Sequence, residues 1–154
     1  MALGEGILKV RGFYLDPSPL SRGFLLFQPN KELRVDYWVA MGGKLDHEDS
    51  RAGLTMLAAR KNGIAGVVVD ASPFHVGNYR NRSGGPVTFS AYGVMFDDQF
   101  TRGREQGYTP SGWKFKFFQP SFLLNNSNIL SYETTEAIKS EEFKRRLRLM
   151  GLLS

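Results

Sequence analysis

The sequence predicts an α+β sandwich, because the spacing of its apolar residues changes three times along the chain. Strand-like runs precede a helix-like segment, and a second set of strand-like runs precedes a second helix-like segment. This order favours an α+β sandwich over a doubly wound parallel sheet. The 154 residues contain no repeat, no low-complexity tract and no long linker, so we expect one domain over residues 1–154.

The composition excludes several classes of protein. Hydrophobic residues make up 42% of the chain and aromatic residues 13%, which is enough for a packed core. The absence of cysteine excludes a disulfide scaffold, a thiolate zinc site and a cysteine nucleophile. No apolar run reaches the roughly 18 residues of a membrane span, and the N-terminus lacks the features of a signal peptide. We therefore expect an intracellular, cytoplasmic protein that has no membrane partner.

The charge gives a weak indication of the partner. Twenty Lys and Arg residues stand against 15 Asp and Glu residues, so the formal charge is +5 at neutral pH. A basic chain favours anionic partners such as nucleotides, RNA or an acidic protein surface. Charge alone does not choose among these partners.

Three strands are predicted in the first third of the chain. Runs rich in β-forming residues at positions 7–14 and 22–28 are separated by a segment with two prolines, which fits a turn. A third run at positions 33–41 alternates roughly in the manner of a strand and ends at the pair Gly42-Gly43. We expect these strands to lie before the first helix.

A helix is predicted over residues 49–62, where the apolar period changes from about two to about 3.6. The residues of one helical face are Leu54, Leu57, Ala58 and Lys61. Asp49 or Ser50 is suited to cap the N-terminal end, and Gly63 is suited to end the helix.

In the second half of the chain, predicted strands again come before a predicted helix. Strands are predicted at residues 64–70, 86–97 and 113–118, and an amphipathic helix at residues 134–150. Residues 71–85 are predicted to form a polar loop that carries Arg80 and Arg82, and loops of about this length in compact domains are usually functional or disordered. A second basic loop carries Arg102 and Arg104.

The segment from Trp38 to Ile64 resembles the Nudix family of hydrolases. Positions 38–46 read WVAMGGKLD and are followed by an acidic loop, the predicted helix, a glycine and a buried strand. In that family a strand with tryptophan and proline-glycine-glycine leads into the motif Gx5Ex7REUxEExGU, in which U is a bulky apolar residue. The resemblance implies an α/β/α sandwich with a mixed sheet.

The resemblance also implies a metal site whose ligands this chain lacks. Family members hold divalent cations with the REUxEE glutamates, which lie on one helical face and activate water for attack on a diphosphate. Aligned on Gly63, the REUxEE positions are residues 56–61; aligned on Gly43, they are residues 57–62, and Asp49 takes the first glutamate position. Neither register contains a glutamate, so we expect no metal ligand and no cofactor on this helix.

An active hydrolase would need metal ligands from elsewhere in the chain. His47, Glu48 and Asp49 lie in the acidic loop, where carboxylates could bind Mg²⁺ or Mn²⁺ and a histidine could act as a general base. Acidic residues in this place are also ordinary partners of a helix N-terminus. Further carboxylates at positions 141–142 and the imidazole of His75 are weaker alternatives.

Cationic side chains could hold a phosphate-bearing ligand directly instead. Arg60 and Lys61 lie on or beside the positions of the missing glutamates, and arginine binds phosphate through two parallel hydrogen bonds. In a last helical turn both residues also complement the helix dipole. The candidate ligand-binding residues are Gly42, Gly43, Lys44, Arg60, Lys61, Arg80 and Arg82.

These observations predict a catalytically degenerate Nudix-like domain that binds a nucleotide, an RNA end or a protein partner. One alternative is an active pyrophosphohydrolase that cleaves nucleoside diphosphate derivatives with displaced metal ligands. A second alternative is a structural subunit of a ribonucleoprotein or another assembly. The resemblance also implies a homodimer as an option, since many members of the family dimerise.

Overall fold

The computed structural model describes residues 6–16, 23–28, 38–45 and 49–151. The strands are β1 (Ile7–Tyr14), β2 (Phe24–Gln28), β3 (Met41–Lys44), β4 (Gly66–Val68), β5 (His75–Arg80), β6 (Pro86–Phe96), β7 (Gln106–Tyr108) and β8 (Lys114–Phe118). The α-helices are α1 (Ser50–Asn62), α2 (Pro120–Asn125), α3 (Tyr132–Ile138) and α4 (Glu141–Leu149), with single 3-10 turns at Gln99–Thr101 and Ser127–Ile129.

The larger sheet is mixed, as the resemblance implies. Its order is β3-β1-β6-β4, and β5 also pairs with β6. Strands β1 and β6 are parallel, whereas β3, β4 and β5 pair antiparallel with their neighbours. A second, antiparallel sheet has the order β2-β8-β7.

The two faces of β1 enter separate parts of the core. Val10 packs in one buried cluster with Leu54 and Leu57 of α1, whereas Phe13 packs in another with Phe143 and Leu147 of α4. Successive side chains of a strand point to opposite faces of the sheet, so this alternation places a helix on each face. The helix–sheet–helix layering of the predicted α/β/α sandwich is confirmed.

The predicted first helix and both of its ends are confirmed. Asp49 is the N-cap, and its Oδ1 accepts a hydrogen bond of 3.0 Å from the Arg51 N–H. Gly63 follows the helix with φ of 66°, and its N–H donates to Ala59 O at 2.9 Å. A left-handed residue at this position favours glycine, which explains why the helix ends here.

The predicted polar loop at residues 71–85 is wrong, because it contains β5. This strand pairs antiparallel with β6, from His75 opposite Ala91 to Arg80 opposite Pro86, and the turn at residues 81–85 joins them. Alternate side chains of β5 are half-buried and exposed. The half-buried side carries His75, Gly77 and Tyr79, and the one aliphatic residue, Val76, is exposed, so no apolar alternation marks the strand in the sequence.

The bounds of other elements also differ from the predictions. β3 covers Met41–Lys44, so the glycine pair lies inside the strand and not after it, and positions 33–37 of the predicted strand lie outside the described residues. The single C-terminal helix predicted at residues 134–150 is wrong. It is two helices, because the Ser140 hydroxyl accepts from the Phe143 N–H at 3.3 Å and starts α4 anew.

Two smaller features complete the fold. The second basic loop carries a 3-10 turn and β7. None of the helices in the described parts of the chain is long and apolar enough to cross a membrane.

Candidate ligand-binding site

The glycine pair of β3 lies where two other parts of the chain approach it closely. Gly42 and Gly43 have φ of 145° and 150°. A Cβ on Gly42 would overlap the Val10 carbonyl oxygen of β1, and a Cβ on Gly43 would overlap the Nζ of Lys61. Gly42 therefore requires glycine for the strand pairing, whereas Gly43 favours glycine through its positive φ, since the flexible end of Lys61 can move away from a Cβ.

Lys61 reaches from α1 to the edge of β3. Its Nζ donates a hydrogen bond of 3.2 Å to the Gly42 carbonyl oxygen. That oxygen points away from β1, because the Leu45 N–H donates to Leu8 O on the inner side and alternate residues of a strand point to opposite edges. An ammonium group thus lies on the outer edge of β3, beside the glycine pair.

A second lysine pair lies in the ladder between β1 and β3. Lys9 and Lys44 are directly opposite each other in this antiparallel pair. Like charges in opposite positions destabilise a sheet unless an anion lies between them. Lys9 has such a partner, since its Nζ is 3.5 Å from Oε2 of Glu133.

Glu133 of α3 is a buried acid that several groups contact. Its side chain is 3% exposed, and it accepts hydrogen bonds from Arg11 Nε at 2.5 Å and from the Tyr79 hydroxyl. Burial raises the pKa of Glu133, but the charge of Arg11, the two hydrogen bonds and the charge of Lys9 together outweigh burial and leave this pKa below its ordinary value. Glu133 is therefore ionised at neutral pH.

Arg11 ties Glu133 to the same strand edge. The guanidinium Nη1 of Arg11 donates to the Ala40 carbonyl oxygen at 3.0 Å. The Ala40 N–H in turn donates to Oγ1 of Thr134 at 3.0 Å. Ala40 and Gly42 are two residues apart, so their carbonyl oxygens point to the same edge. Each oxygen accepts a hydrogen bond from a cationic side chain.

We call this region the cationic corner. Its members are Lys9, Arg11, Gly42, Gly43, Lys44, Lys61 and Glu133. Four side chains in this set carry a positive charge at neutral pH and one carries a negative charge. Lys61 reaches the outer edge of β3 from the α1 face of the sheet, whereas Lys9, Arg11 and Lys44 lie on the opposite face with Glu133. An anion can therefore contact both groups of cations only around the edge of β3.

An aromatic pair adjoins the corner through Glu133. The rings of Tyr79 and Tyr132 have centroids 4.9 Å apart, and Tyr132 is half exposed. Burial and the hydrogen bond to Glu133 raise the pKa of Tyr79, so its hydroxyl remains a donor across the physiological range. The exposed ring of Tyr132 offers a surface on which a planar group can stack.

The structure brings together only part of the predicted ligand-binding set. Arg60 is exposed, and its side chain diverges from that of Lys61 because neighbouring residues on a helix do not share a face. Arg80 donates to Gly84 O at 2.7 Å within its own hairpin, and Arg82 is exposed at the tip of that hairpin. Strand β5 is three strands from β3 in the sheet, or about 14 Å.

The residues of the active-hydrolase alternative are only partly visible. His47 and Glu48 lie outside the described residues. Asp49 caps α1, as the ordinary interpretation of an acid in this position predicts. Among the residues that the structure describes, no group of three or more His, Cys, Asp or Glu side chains is placed to hold a metal ion.

The weaker candidates for acid or base chemistry have structural partners. His75 lies in β5 with its ring 5.7 Å from that of Phe89. Glu142 accepts hydrogen bonds from Arg145 and Arg146 of its own helix, and the Arg145 hydrogen bond is the main cause that lowers the pKa of Glu142 to about 2. These contacts explain both residues without a ligand.

Sequence reasoning missed the acid of the corner and two of its cations. Lys9 and Arg11 lie two residues apart in an otherwise apolar strand, so alternation puts them on one face. Their spacing was the available signal. Glu133 is 122 positions from Arg11, and nothing in the sequence pairs the two.

Comparison with known proteins shows which fold this is. No protein-family model matches the chain, and no curated protein matches it by sequence. The ORF135 protein of E. coli matches in structure with a TM-score of 0.64 and 18% identity, over 96% of this chain and 94% of that one. A Nudix hydrolase from Nitrosomonas europaea matches with a TM-score of 0.64 and 8% identity, over 92% and 90% of the two chains.

A third solved structure agrees with these two. The Ap4A hydrolase of C. elegans has a TM-score of 0.60 and 14% identity, and the match covers 92% of this chain and 98% of that one. The chain has the Nudix fold. In this Nudix fold α1 is the helix that the motif resemblance points to, and the cationic corner joins its last turn to the glycine pair of β3.

Proposed function

We propose that this Nudix-fold chain binds a nucleotide or another phosphate-bearing ligand through fixed cationic side chains, without metal-dependent pyrophosphate hydrolysis. The position of Lys61 carries the proposal. In both registers of the motif Lys61 takes a position for which the resemblance implies a glutamate, and its Nζ donates to Gly42 O. A lysine ammonium has donors only and cannot ligate a divalent cation, but it supplies positive charge at the same place.

The chemistry around Lys61 supports a phosphate ligand. On the opposite face of the sheet, the pair Lys9–Lys44 favours an additional anion, because Glu133 offers Lys9 a contact of 3.5 Å that it shares with Arg11. The neighbouring structures include a protein named as an Ap4A hydrolase and two named as Nudix hydrolases, which supports a nucleotide ligand. In this chain Tyr132 offers a stacking surface for a base on the side of the sheet that carries Glu133, Lys9 and Arg11.

Thermal unfolding with ligands tests the proposal. We expect ADP-ribose, a dinucleoside polyphosphate or capped RNA to raise the Tm in the presence of EDTA, and we expect the shift to fall as salt is added. Lys61→Ala should weaken binding roughly tenfold or more, since a charge-assisted hydrogen bond contributes about 1.5–3 kcal/mol. Arg148→Ala, which removes an exposed arginine from α4, is the matched control and should leave binding unchanged.

A turnover assay separates this proposal from the two alternatives. Incubation of the same ligands with Mg²⁺ or Mn²⁺ should release no product above a buffer control. Metal-dependent product release that is lost in Glu48→Gln or Asp49→Asn would instead establish the active hydrolase. A chain that shows neither stabilisation nor turnover and co-purifies with RNA or a fixed protein partner would be an assembly subunit.

A further inference from the structure

A second concave surface lies at the C-terminal end of α1. It is a cavity of 710 Å³, which is within the range of about 300–1,000 Å³ typical of small-molecule sites. One wall is formed by residues 63–65 after α1, and another by residues 97–104 of the second basic loop. The rings of Phe100 and Phe115, 5.1 Å apart, contribute apolar surface. None of the residues of the cationic corner lines this cavity.

Two arginines that line the cavity lie in a turn held by hydrogen bonds. The turn carries Arg102 and Arg104 and is anchored by Thr101, which is 1% exposed and donates through Oγ1 to the Asp98 carbonyl oxygen at 2.8 Å. The Arg104 N–H donates to Thr101 O at 2.9 Å. Because the backbone is held in this way, little ordering of the main chain is needed for the arginines to meet an anion.

Arg102 has an unusual backbone conformation for its residue type. Its φ is 51°, and in the described part of the chain it is the one residue other than glycine with a positive φ. Glycine would adopt this conformation without cost. Arg102 therefore occupies a position whose backbone conformation favours glycine.

The lining also includes an exposed tyrosine and an aspartate. Tyr108 of β7 is 63% exposed and presents its ring beside the cavity. Asp97 also lines the cavity, and its Oδ1 accepts from the Gln99 N–H at 3.2 Å. A phosphate avoids the Asp97 carboxylate and favours the arginines, whereas sugar hydroxyls or base amino groups can donate to Asp97.

We propose that this cavity is a second ligand site, which binds a nucleotide with its phosphate on Arg102 and Arg104 and its base against Tyr108. The site is separate from the cationic corner and does not rest on the function proposed for it. Guanidinium groups bind phosphate, and an exposed tyrosine ring can stack on any base. We therefore expect the site to bind nucleotides without preference for one base.

Calorimetric titration with AMP tests this site. The Lys61→Ala variant is the starting protein, so that the cationic corner does not add to the signal. Arg102→Gly removes the guanidinium and fits the left-handed backbone, so this variant is expected to fold normally. We expect Arg102→Gly to weaken AMP binding roughly tenfold or more and Tyr108→Ala to weaken it about tenfold. Arg148→Ala should stay within about twofold.

Separate titrations with adenosine and with inorganic phosphate assign the two halves of the ligand. Each should bind more weakly than AMP, and Arg102→Gly should affect phosphate while Tyr108→Ala should affect adenosine. The proposal is overturned when AMP does not bind at millimolar concentration, or when Arg102→Gly and Tyr108→Ala bind AMP as their parent does. Phosphate that binds as tightly as AMP would overturn the nucleotide assignment.

Discussion

Replacing Glu133 with glutamine should destabilise the protein strongly, because Glu133 is the buried acid that pairs with the partly buried cations Arg11 and Lys9. The side chain is 3% exposed and contacts Arg11, Lys9 and the Tyr79 hydroxyl. Glutamine keeps the shape and one acceptor oxygen but removes the charge. Arg11, which is 12% exposed, then loses its ionic partner while it stays in place.

The size of the effect follows from these contacts. Removing one member of a buried ion pair costs about 3–5 kcal/mol. Two features reduce the cost here: Arg11 keeps its hydrogen bond to Ala40 O, and Lys9 is 29% exposed and can turn toward water. We therefore expect Glu133→Gln to lower the free energy of unfolding by about 3 kcal/mol, which for a domain of this size corresponds to a fall in Tm of roughly 6–12 °C.

Urea unfolding measures this change, with Glu136→Gln as the matched control. Glu136 lies on the same helix and accepts from the Tyr132 hydroxyl at 2.7 Å in an exposed position, so its loss should change the free energy by no more than about 0.5 kcal/mol. A cost below about 1 kcal/mol for Glu133→Gln would refute the reasoning. It would show that Glu133 does not compensate the charges of Arg11 and Lys9.

The pH dependence gives an independent test of the same contact. The pKa of Glu133 is lower in the folded chain than its ordinary value, so its contribution is present above the ordinary carboxyl pKa and is lost as the pH falls through the folded value. The pKa of Tyr79 is raised, so its contribution is present below its ordinary pKa and is lost at alkaline pH. Glu133→Gln should weaken the dependence of stability on pH at the acid end. A variant with the same acid dependence as the original chain would contradict this assignment.

Two further substitutions test other contacts. Gly43→Ala should weaken phosphate binding, because a Cβ there overlaps the Nζ of Lys61, and should lower the free energy of unfolding by about 1–2 kcal/mol, because the backbone angle is unfavourable for alanine. Unchanged binding in a calorimetric titration would argue against Lys61 as a ligand contact. Arg146→Ala should lower the free energy of unfolding in urea by about 1–3 kcal/mol, since the guanidinium donates to both carboxylate oxygens of Asp70 at 2.9 and 3.0 Å. Arg145→Ala, which removes an exposed arginine, should lower it by less than about 0.5 kcal/mol. Equal losses would contradict the role of the Arg146–Asp70 pair.

The first helix was predictable because its signals are local. The spacing of Leu54 and Leu57, the Asp49 cap and the Gly63 stop all lie within 15 positions, and each acts through hydrogen bonds of its own turn. The break between α3 and α4 was signalled in the same way. Ser140 precedes two acidic residues, which is a helix start, but the apolar period that continues through it favoured one long helix.

Strand β5 and the bounds of β3 were not predictable from local pattern, because partners elsewhere in the chain create them. β5 gains its hydrogen bonds from β6, and its one aliphatic residue, Val76, is exposed while His75 and Tyr79 are half-buried. Gly42 and Gly43 have low strand propensity, but pairing with β1 holds them extended. In both cases tertiary pairing overrides the preference of the residues themselves.

The charges of the candidate site were also only partly predictable from the local sequence. The sequence places Lys61 in the last turn of α1 and the glycine pair before it, and the complementarity of a cation with a helix C-terminus explains Lys61 equally well without a ligand. The structure adds the hydrogen bond to Gly42 O, which a dipole effect alone does not require. It also adds Lys9 and Lys44 as opposed cations, with Glu133 as the compensating acid. The candidate site forms only when the distant elements β1, β3, α1 and α3 come together. Its excess of positive charge, which favours an anion, therefore cannot be recognised from any single segment of the sequence.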